Sequence, residues 1–366
     1  MKALFLGKFN VLGGTQFLID DVGKVLENAG YGIDAVTGRN HRFASQKYGR
    51  IFETGYPYFS EDNRLMLLAN FRRLKRELKK IDFAQYDFTF NNHPTTFLYN
   101  ARVNYLHGPS FVDSVVDEDG KVVNKTLLRL IRLSGIYNVY RRSVFLTHGK
   151  YTKDLSLNLL PMVGVRPASI EYIHTPINYS LDVDLAEKDP KLVLSFGRIS
   201  PQKALDPLLN IARKVDANFV ISGFVDERHR DYVETLRKES PDNLKILSNP
   251  TEQQKIELFR KASVYIHTYK KEHYGVTVAE AIYFGCIPVV PKSGGPWVDI
   301  TNYGEFGLGY GSADEAVQKI EEALTASASE RNRIFDSRHR FDFQRFEASF
   351  KEFMSRVSGE NVLDGP

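Results

Sequence analysis

Short apolar runs recur along the chain, separated by polar turns and by segments of helical periodicity. In the first half, such runs lie at residues 3–6, 33–36, 88–90, 103–106 and 144–146. Runs this short and this apolar are typical of buried strands in a parallel sheet. Residues 15–29, between the first two runs, place apolar side chains at helical spacing. The pattern therefore predicts strands alternating with helices.

The same rhythm restarts at residue 191, after a mostly polar stretch. Further apolar runs lie at residues 192–195, 219–222, 244–247, 263–266 and 287–290. Two α/β halves are therefore expected, each with a parallel sheet. We predict a first domain at 1–176, a linker at 177–190, a second domain at 191–340 and a C-terminal helix within 341–366.

Composition is that of an ordinary globular protein. The chain has 366 residues, of which 42% are hydrophobic and 26% charged, and its net charge of +4 implies no nucleic-acid partner. A single cysteine, Cys286, excludes an intramolecular disulfide and fits a reducing compartment. No run of about 18 apolar residues predicts a membrane-spanning helix, and the apolar run at the N-terminus is too short for a signal peptide. We therefore expect a cytoplasmic protein.

Two basic amphipathic helices are predicted in the first domain. Residues 64–80 contain seven Lys or Arg and one acid, Glu77, and residues 125–142 contain five Lys or Arg and no acid. A solvated helix face is the commoner outcome of such a charge run. The alternative is attraction to an anionic membrane surface or an anionic acceptor, with the protein peripheral on the inner face of a membrane.

The stretch at residues 271–281 carries two carboxylates, Glu272 and Glu280, with seven residues between them. It lies between a predicted strand and a helix that begins just after Gly275. In parallel sheets, ligands bind at the carboxyl ends of strands, and the free N–H groups of a helix N-terminus attract phosphate. Glu272 is placed to accept hydrogen bonds from sugar hydroxyls, and Glu280 from a ribose diol. Alone, this spacing is equally compatible with two solvated surface charges.

The surrounding residues give this spacing more weight. Glu272-His273-Tyr274-Gly275, Glu280-Ala281, Gly285, Pro288-Val289-Val290 and Ser293-Gly294-Gly295-Pro296 resemble the E-x7-E signature of retaining glycosyltransferases of family four. The opening and the close of this stretch are similar to those of mannosyltransferases that extend lipid-linked oligosaccharides. The resemblance implies the GT-B fold: two Rossmann-like domains facing a cleft, with the C-terminal helix crossing back to the first domain.

Other segments match the same family in the same order. The loop at residues 196–203 resembles its Gly-Arg-…-Lys segment, so Arg198 and Lys203 would neutralise a diphosphate, although loop cations are usually solvated. Gly223 matches the family's strand-end glycine. The resemblance also implies that His107 faces the donor sugar and that the loop with Gly13-Gly14, which alone is as easily a tight turn, lies near the diphosphate and acceptor.

The resemblance yields the following set of site residues. The catalytic candidates are Glu272, His107, Arg198 and Lys203. The predicted ligands of the nucleotide sugar are Gly13, Gly14, Gly197, Arg198, Lys203, Gly223, Glu272, Tyr274, Gly275, Val276, Thr277 and Glu280. No metal and no cofactor are expected, because the one close Asp-x-Asp pair, Asp182-Val183-Asp184, lies in the predicted linker. No role is assigned to Thr147-His148, where the family pattern is broken.

The function expected from the resemblance is retaining, metal-independent transfer of a hexose from a nucleotide sugar to a hydroxyl of a glycan or a lipid-linked acceptor. The Glu272-His273 opening favours GDP-mannose, with UDP-hexoses next. The alternatives are a GT-B-like nucleotide-sugar epimerase or hydrolase, and a non-catalytic nucleotide-sugar-binding protein. A dehydrogenase is disfavoured because the G-x-G-x-x-G fingerprint is missing.

Overall fold

The computed structural model describes residues 1–9, 14–38, 48–54, 74–112, 115–117 and 120–359, and for residues 14–17 and 358–359 it describes the backbone alone. These residues form two compact units. The first unit contains the chain up to Thr175 together with the C-terminal helix that begins at Phe343. The second unit runs from Pro176 to Asp342. Each unit is an α/β layer structure with its own hydrophobic core.

The described part of the first unit holds a parallel sheet of seven strands. They are β1 (Lys2–Leu6), β2 (Gly32–Thr37), β3 (Ile51–Glu53), β4 (Phe88–Asn91), β5 (Val103–Leu106), β6 (Val144–Thr147) and β7 (Ser169–Tyr172). Their order in the sheet is β3-β2-β1-β4-β5-β6-β7. The apolar runs of the sequence are the central strands, and these strands are buried on both faces, as parallel strands covered by helices must be. The predicted Rossmann-like architecture is confirmed for this unit.

The helices described over their full length before Thr175 are α1 (Gly14–Asn28), α2 (Lys125–Ser134) and α3 (Lys150–Leu159). Helix α2 is shorter than the predicted helix at 125–142. It ends because Gly135 adopts a left-handed φ of 60°, a conformation that favours glycine and caps a helix. Of the predicted helix at 64–80, residues 74–78 are helical, and residues 64–73 lie outside the described residues.

The second unit holds a parallel sheet of six strands: β8 (Asp189–Phe196), β9 (Asn218–Gly223), β10 (Leu244–Ser248), β11 (Ala262–Ile266), β12 (Ile287–Pro291) and β13 (Leu308–Tyr310). The order is β10-β9-β8-β11-β12-β13. The direction in which the chain crosses the sheet reverses between β8 and β11. In open parallel sheets, ligands bind in the crevice at such a reversal, outside the carboxyl ends of the two strands.

The helices of the second unit are α4 (Pro207–Ala212), α5 (Arg230–Glu239), α6 (Glu252–Lys261), α7 (Val276–Tyr283), α8 (Ala313–Leu324) and α9 (Ala328–Asp336). A π-helical turn, Pro296–Ile300, follows β12. The residues predicted as a linker, 177–190, lie within this unit and run along α7. The Tyr179 carbonyl accepts a 2.7 Å hydrogen bond from the Tyr283 hydroxyl, and β8 already begins at Asp189.

The last helix, α10 (Phe343–Gly359), belongs to the core of the first unit, as the resemblance implies. Phe346, Phe350 and Phe353 are buried among strands β1, β4 and β5, and the Phe350 ring meets the Phe88 ring edge-on at 6.4 Å. Among the described residues, no helix is both long enough and apolar enough to cross a membrane.

Replacing Phe350 by Ala removes a fully buried aromatic ring from the first core. We expect the free energy of unfolding to fall by about 3–5 kcal/mol, the usual cost of such a cavity. Urea unfolding followed by circular dichroism measures the loss. The matched control is Phe224→Ala, because the Phe224 side chain is 64% exposed, and this change should cost less than about 0.5 kcal/mol. Equal losses in the two variants would contradict the placement of α10.

Candidate active site

The crevice outside the ends of β8 and β11 is built on two closely packed loops. Gly223, at the end of β9, adopts a φ of 148°, and a Cβ atom there would lie 1.6 Å from the Gly197 carbonyl oxygen. The Gly197 N–H donates to the Ser222 carbonyl at 3.0 Å. Gly223 therefore lets the loop that follows β9 approach the loop that follows β8, which carries Gly197.

Arg198 and Lys203 lie in the loop after β8, but they are held differently. Arg198 is exposed, and its side chain has no hydrogen bond or ion pair to any other residue that the structure describes. Lys203 ends a 3₁₀ turn whose backbone is tied to the neighbouring loop, because the Thr268 hydroxyl donates to the Lys203 carbonyl at 2.8 Å. Its ammonium group lies 4.9 Å from the centre of the Tyr269 ring.

Lys203 and Glu272 form an ion pair between Nζ and Oε2. The two side chains are only 24% and 22% exposed, so water screens this pair less than it screens a surface pair. Burial alone would raise the pKa of the Glu272 carboxyl, but the charge and hydrogen bond of Lys203 together with nearby groups outweigh burial, and the pKa lies below its ordinary value. Glu272 is therefore an ionised acceptor at neutral pH. The sequence assigned Lys203 and Glu272 to different parts of the donor, and their direct pairing is a finding of the structure.

His267 completes this cluster, and sequence reasoning did not identify it. It directly follows β11, is buried, and its Nε2 lies 3.9 Å from Oε2 of Glu272. Burial lowers the pKa of His267 to about 4, so the ring is neutral at pH 7. Its position in the sequence could have indicated it, because His267 directly follows the apolar run at 263–266 and so lies at a strand end.

The N-terminus of α7 faces the same crevice. Gly275 caps the helix with a φ of 95°, and a Cβ atom there would lie 2.8 Å from Cγ of Pro296. The N–H groups of Val276 and Thr277 have no hydrogen-bond partner among the described residues. The Tyr265 hydroxyl lies 2.8 Å from both the Phe196 carbonyl and Oγ1 of Thr277, and this bridges the end of β8 to the helix. Two free donors thus stand beside the Lys203–Glu272 pair.

The loop that carries Glu272 is supported from behind by residues 293–296. The Gly295 N–H donates to the Glu272 carbonyl at 2.7 Å, and the Ser293 hydroxyl donates to the Lys270 carbonyl at 2.7 Å. A Cβ atom at Gly295 would lie 2.2 Å from the His273 carbonyl oxygen, so only glycine fits. Tyr274, predicted as a ligand of the nucleotide sugar, is buried in the core of the second unit.

Glu280 lies in α7 with its carboxylate directed into a small polar cluster. Its Oε1 accepts a 2.8 Å hydrogen bond from the Tyr179 hydroxyl and a 2.7 Å bond from Nζ of Lys255. Neither partner was anticipated from the sequence, because Tyr179 lies in the predicted linker and Lys255 lies in a helix without any motif.

The first unit carries His107 at the end of β5. Its Nε2 lies 3.0 Å from Oδ1 of Asn92, and its ring lies 4.8 Å from the Tyr105 ring. Burial lowers the pKa of His107 well below its ordinary value, so this ring is also neutral at pH 7. Of the glycine-rich loop, Gly14 begins α1, and Gly13 lies outside the described residues.

Two other polar pairs of the first unit occupy strand ends. His93 accepts a hydrogen bond at Nδ1 from the Lys8 N–H at 3.2 Å, and Nε2 of His148 lies 3.1 Å from Oγ1 of Thr152. Across the described ranges, no group of three or more His, Cys, Asp or Glu side chains is arranged to hold a metal ion.

The low pKa of His267 makes acidification destabilising. The unfolded histidine takes up a proton near pH 6.5, whereas the folded one takes it up only near pH 4. The contribution of neutral, buried His267 to the free energy of unfolding is therefore complete above pH 6.5 and is lost as the pH falls towards 4. Between pH 7.5 and pH 5 we expect the wild type to lose about 2 kcal/mol more than a His267→Gln variant.

This difference is measured by urea unfolding at the two pH values. The fluorescence of Trp297, the single tryptophan, reports on the second unit. The control is His339→Gln, at a side chain 58% exposed and paired with Asp342, which should leave the pH dependence of the wild type in place. An identical pH dependence in the wild type and His267→Gln would show that His267 is not buried as described.

Part of the chain is similar to known proteins. Residues 181–340 match the family described as Glycosyl transferases group 1. The chain is 26% identical over 192 residues to GDP-Man:Man(3)GlcNAc(2)-PP-Dol alpha-1,2-mannosyltransferase of Dictyostelium discoideum, covering 47% of this chain and 38% of the relative. It is 30% identical over 223 residues to the protein of the same name from Caenorhabditis elegans, covering 52% and 47%. The chain thus spans less than half the length of these relatives.

The fold itself matches over the whole chain. The crystal structure of Anabaena HepE in complex with UDP and glucose superposes with a TM-score of 0.69 at 19% identity, covering 97% of this chain and 100% of that one. The described units thus share the architecture of GT-B proteins, and residues 181–340 form a domain of the glycosyl transferases group 1 family.

Proposed function

We propose that the chain is a retaining glycosyltransferase that moves a hexose from a nucleotide sugar to a hydroxyl of a glycan or lipid-linked acceptor. The observation that carries this proposal is the partly buried Lys203–Glu272 pair beside the free N–H groups of α7. It combines a cation and backbone donors for a phosphate with a carboxylate for sugar hydroxyls. These are the two chemistries that a nucleotide sugar presents together.

The diphosphate is assigned to Arg198, Lys203 and the N-terminus of α7. In the transfer, the bond between the anomeric carbon and the phosphate oxygen breaks, and negative charge grows on that oxygen. Fixed cations and helix N–H groups stabilise such charge without reorganisation. Arg198 has no competing partner among the described residues, and Lys203 shares its charge between Glu272 and the incoming phosphate. Two cations, of which Lys203 is held in place by its ion pair, support the metal-independent form of the reaction.

The sugar is assigned to Glu272, and the ribose of the nucleotide to Glu280. Because Glu272 is ionised, it accepts hydrogen bonds from two hydroxyls and orients the hexose. Because the ring of His267 is neutral, it adds no second positive charge to that of Lys203 beside the Glu272 carboxylate. The resemblance adds His107, whose ring is neutral, and the Gly13-Gly14 loop as further candidate ligands of the donor. The acceptor oxygen then bonds to the anomeric carbon on the face that the phosphate leaves, and the departing diphosphate takes its proton.

The donor we propose is GDP-mannose. Its support is the Glu272-His273 opening together with the two mannosyltransferases, whose names specify GDP-Man and a dolichol-linked oligosaccharide. UDP-hexoses are the second candidate, since HepE was crystallised with UDP and glucose.

The catalytic assignment is tested with Glu272→Gln and Lys203→Ala. Each should lower donor-dependent transfer by about 10²–10³-fold, the usual effect of removing one group that stabilises a developing charge. The assay follows transfer from radiolabelled GDP-mannose or UDP-hexose to a lipid-linked oligosaccharide in purified enzyme. The control is Lys191→Ala, since Lys191 forms an exposed pair with Asp216, 2.6 Å apart, and should leave the rate unchanged.

The products distinguish the alternatives to transfer. Free sugar released without acceptor would identify a hydrolase, and an altered sugar nucleotide would identify an epimerase. Wild-type rates in both site variants would show that the Lys203–Glu272 pair is not part of the reaction.

We also propose that α2 docks on an anionic membrane surface, where a lipid-linked acceptor lies. Leu127, Leu128 and Ile131 turn towards the core, whereas Leu130 and Leu133 are 59% and 85% exposed. At helical spacing these two leucines form one stripe, and beside it runs a stripe of Lys125, Arg129 and Arg132. Residues 121–153 contain no acidic residue. A membrane with anionic headgroups complements both stripes, because it takes up apolar side chains and attracts cations.

Vesicle binding tests this surface. The protein should sediment with vesicles of phosphatidylcholine and phosphatidylglycerol at low salt, and weakly with phosphatidylcholine alone. A double variant, Leu130→Ser with Leu133→Ser, should weaken binding at least about tenfold, because each leucine loses up to about 1.5–3 kcal/mol of burial. Arg129→Gln should weaken it about fivefold, as expected for about 1 kcal/mol per cation. Leu157→Ser, at a leucine of α3 that is 49% exposed, is the control. Equal binding to both vesicle types would contradict the proposal.

A further inference from the structure

Glu280 is held more firmly than a solvated glutamate. Both hydrogen bonds that fix it, from the Tyr179 hydroxyl and from Nζ of Lys255, end on the same oxygen, Oε1. The Glu280 side chain is 10% exposed and the Lys255 side chain 15% exposed. A charged pair this buried keeps one geometry, because a partner that moved away would leave a buried charge unpaired.

Three separate elements meet in this cluster. Tyr179 comes from the segment that precedes β8, Lys255 from the first half of α6, and Glu280 from α7. The Tyr179 ring packs edge-on against Phe284 at 4.9 Å, and its centre lies 5.5 Å from the Lys255 ammonium. Burial, followed by the charge of Glu280, raises the pKa of the Tyr179 hydroxyl well above its ordinary value. Tyr179 therefore remains protonated and is a permanent donor.

The second carboxylate oxygen of Glu280 is left open. Among the described residues no donor is bonded to Oε2, and this oxygen is not among the buried polar atoms that lack a partner. It is therefore accessible to solvent. Lys255 and Tyr179 thus satisfy one oxygen and leave the other for a ligand. An ion pair with only a structural role would not require one carboxylate oxygen to remain without a hydrogen-bond donor.

We propose that Lys255 and Tyr179 are positioning residues, which fix Glu280 so that its Oε2 accepts a hydrogen bond from the ribose hydroxyls of the bound nucleotide. This inference rests on the proposed nucleotide-sugar function. It adds that ribose selectivity depends on two side chains that do not themselves touch the ribose. Lys255 holds the negative charge in a nearly dehydrated position, and Tyr179 fixes the direction in which the carboxylate plane points.

The experiment compares binding of GDP with 2′-deoxy-GDP, and of UDP with 2′-deoxy-UDP, by calorimetry on the full chain. In the wild type we expect the ribonucleotide that binds to be favoured at least about tenfold over its deoxy form, because the bound deoxy form shields Oε2 of Glu280 from water without donating a hydrogen bond to it. Lys255→Met and Tyr179→Phe should reduce that preference to about twofold. The loss should fall on the ribonucleotide, and the affinity of the deoxy form should hardly change.

Two further variants make the result specific. Lys255→Arg keeps the cation and should recover most of the preference, whereas Lys261→Met, at an exposed lysine of the same helix, should keep all of it. Lys203→Ala should weaken both nucleotides equally, since it acts on the diphosphate. If Lys255→Met does not fold, Tyr179→Phe, which removes only a hydroxyl, decides the question.

The possible failures are distinguishable. Variants that weaken ribose and deoxyribose forms together, with the preference unchanged, would show a purely structural role and overturn the inference. A wild type that binds both forms equally would overturn it while leaving the nucleotide site intact. A wild type that binds neither GDP nor UDP would overturn the proposed function itself, and this inference with it.

Discussion

The ion pair between Lys203 and Glu272 is the constraint that organises the candidate site. The two residues follow β8 and β11, the neighbouring strands at which the strand order reverses. Pairing them joins two loops that the topology only places side by side. It also makes the two cations of the site unequal, because Lys203 is paired with Glu272 whereas Arg198 has no partner among the described residues. A phosphate that enters the crevice meets one free cation at once and competes with a carboxylate for the other.

Close backbone approach is what makes this pairing possible. Gly223 lets the β9 loop touch the β8 loop, and Gly295 lets the segment after β12 support the carbonyl of Glu272. At both positions a single methyl group would collide with backbone atoms, which cannot move away as a side chain can. The charged residues are therefore positioned by neighbours that carry no charge and touch no ligand.

The strands and their parallel pairing could be predicted, because period, chain order and strand ends depend on local sequence and on general topology. Lys203 and Glu272 were both predicted as site residues, but their ion pair was not predicted. His267 was missed because its importance comes from burial beside Glu272, which no local pattern expresses. Lys255 and Tyr179 were missed because their contacts join residues 25 and 101 positions away from them. The helix predicted at 125–142 was too long, because the helical spacing of apolar residues continues beyond Gly135, whose left-handed φ ends α2.

Helix α10 also determines the order in which the chain acquires its structure during synthesis. The first unit needs Phe346, Phe350 and Phe353 to complete its core, yet these residues leave the ribosome after the entire second unit. The second unit is continuous in sequence and is able to close first, although it is the later one in the chain. Until α10 arrives, the apolar surface that it covers in the first core stays exposed, so the nascent first half carries uncovered apolar surface for as long as the second unit is being synthesised.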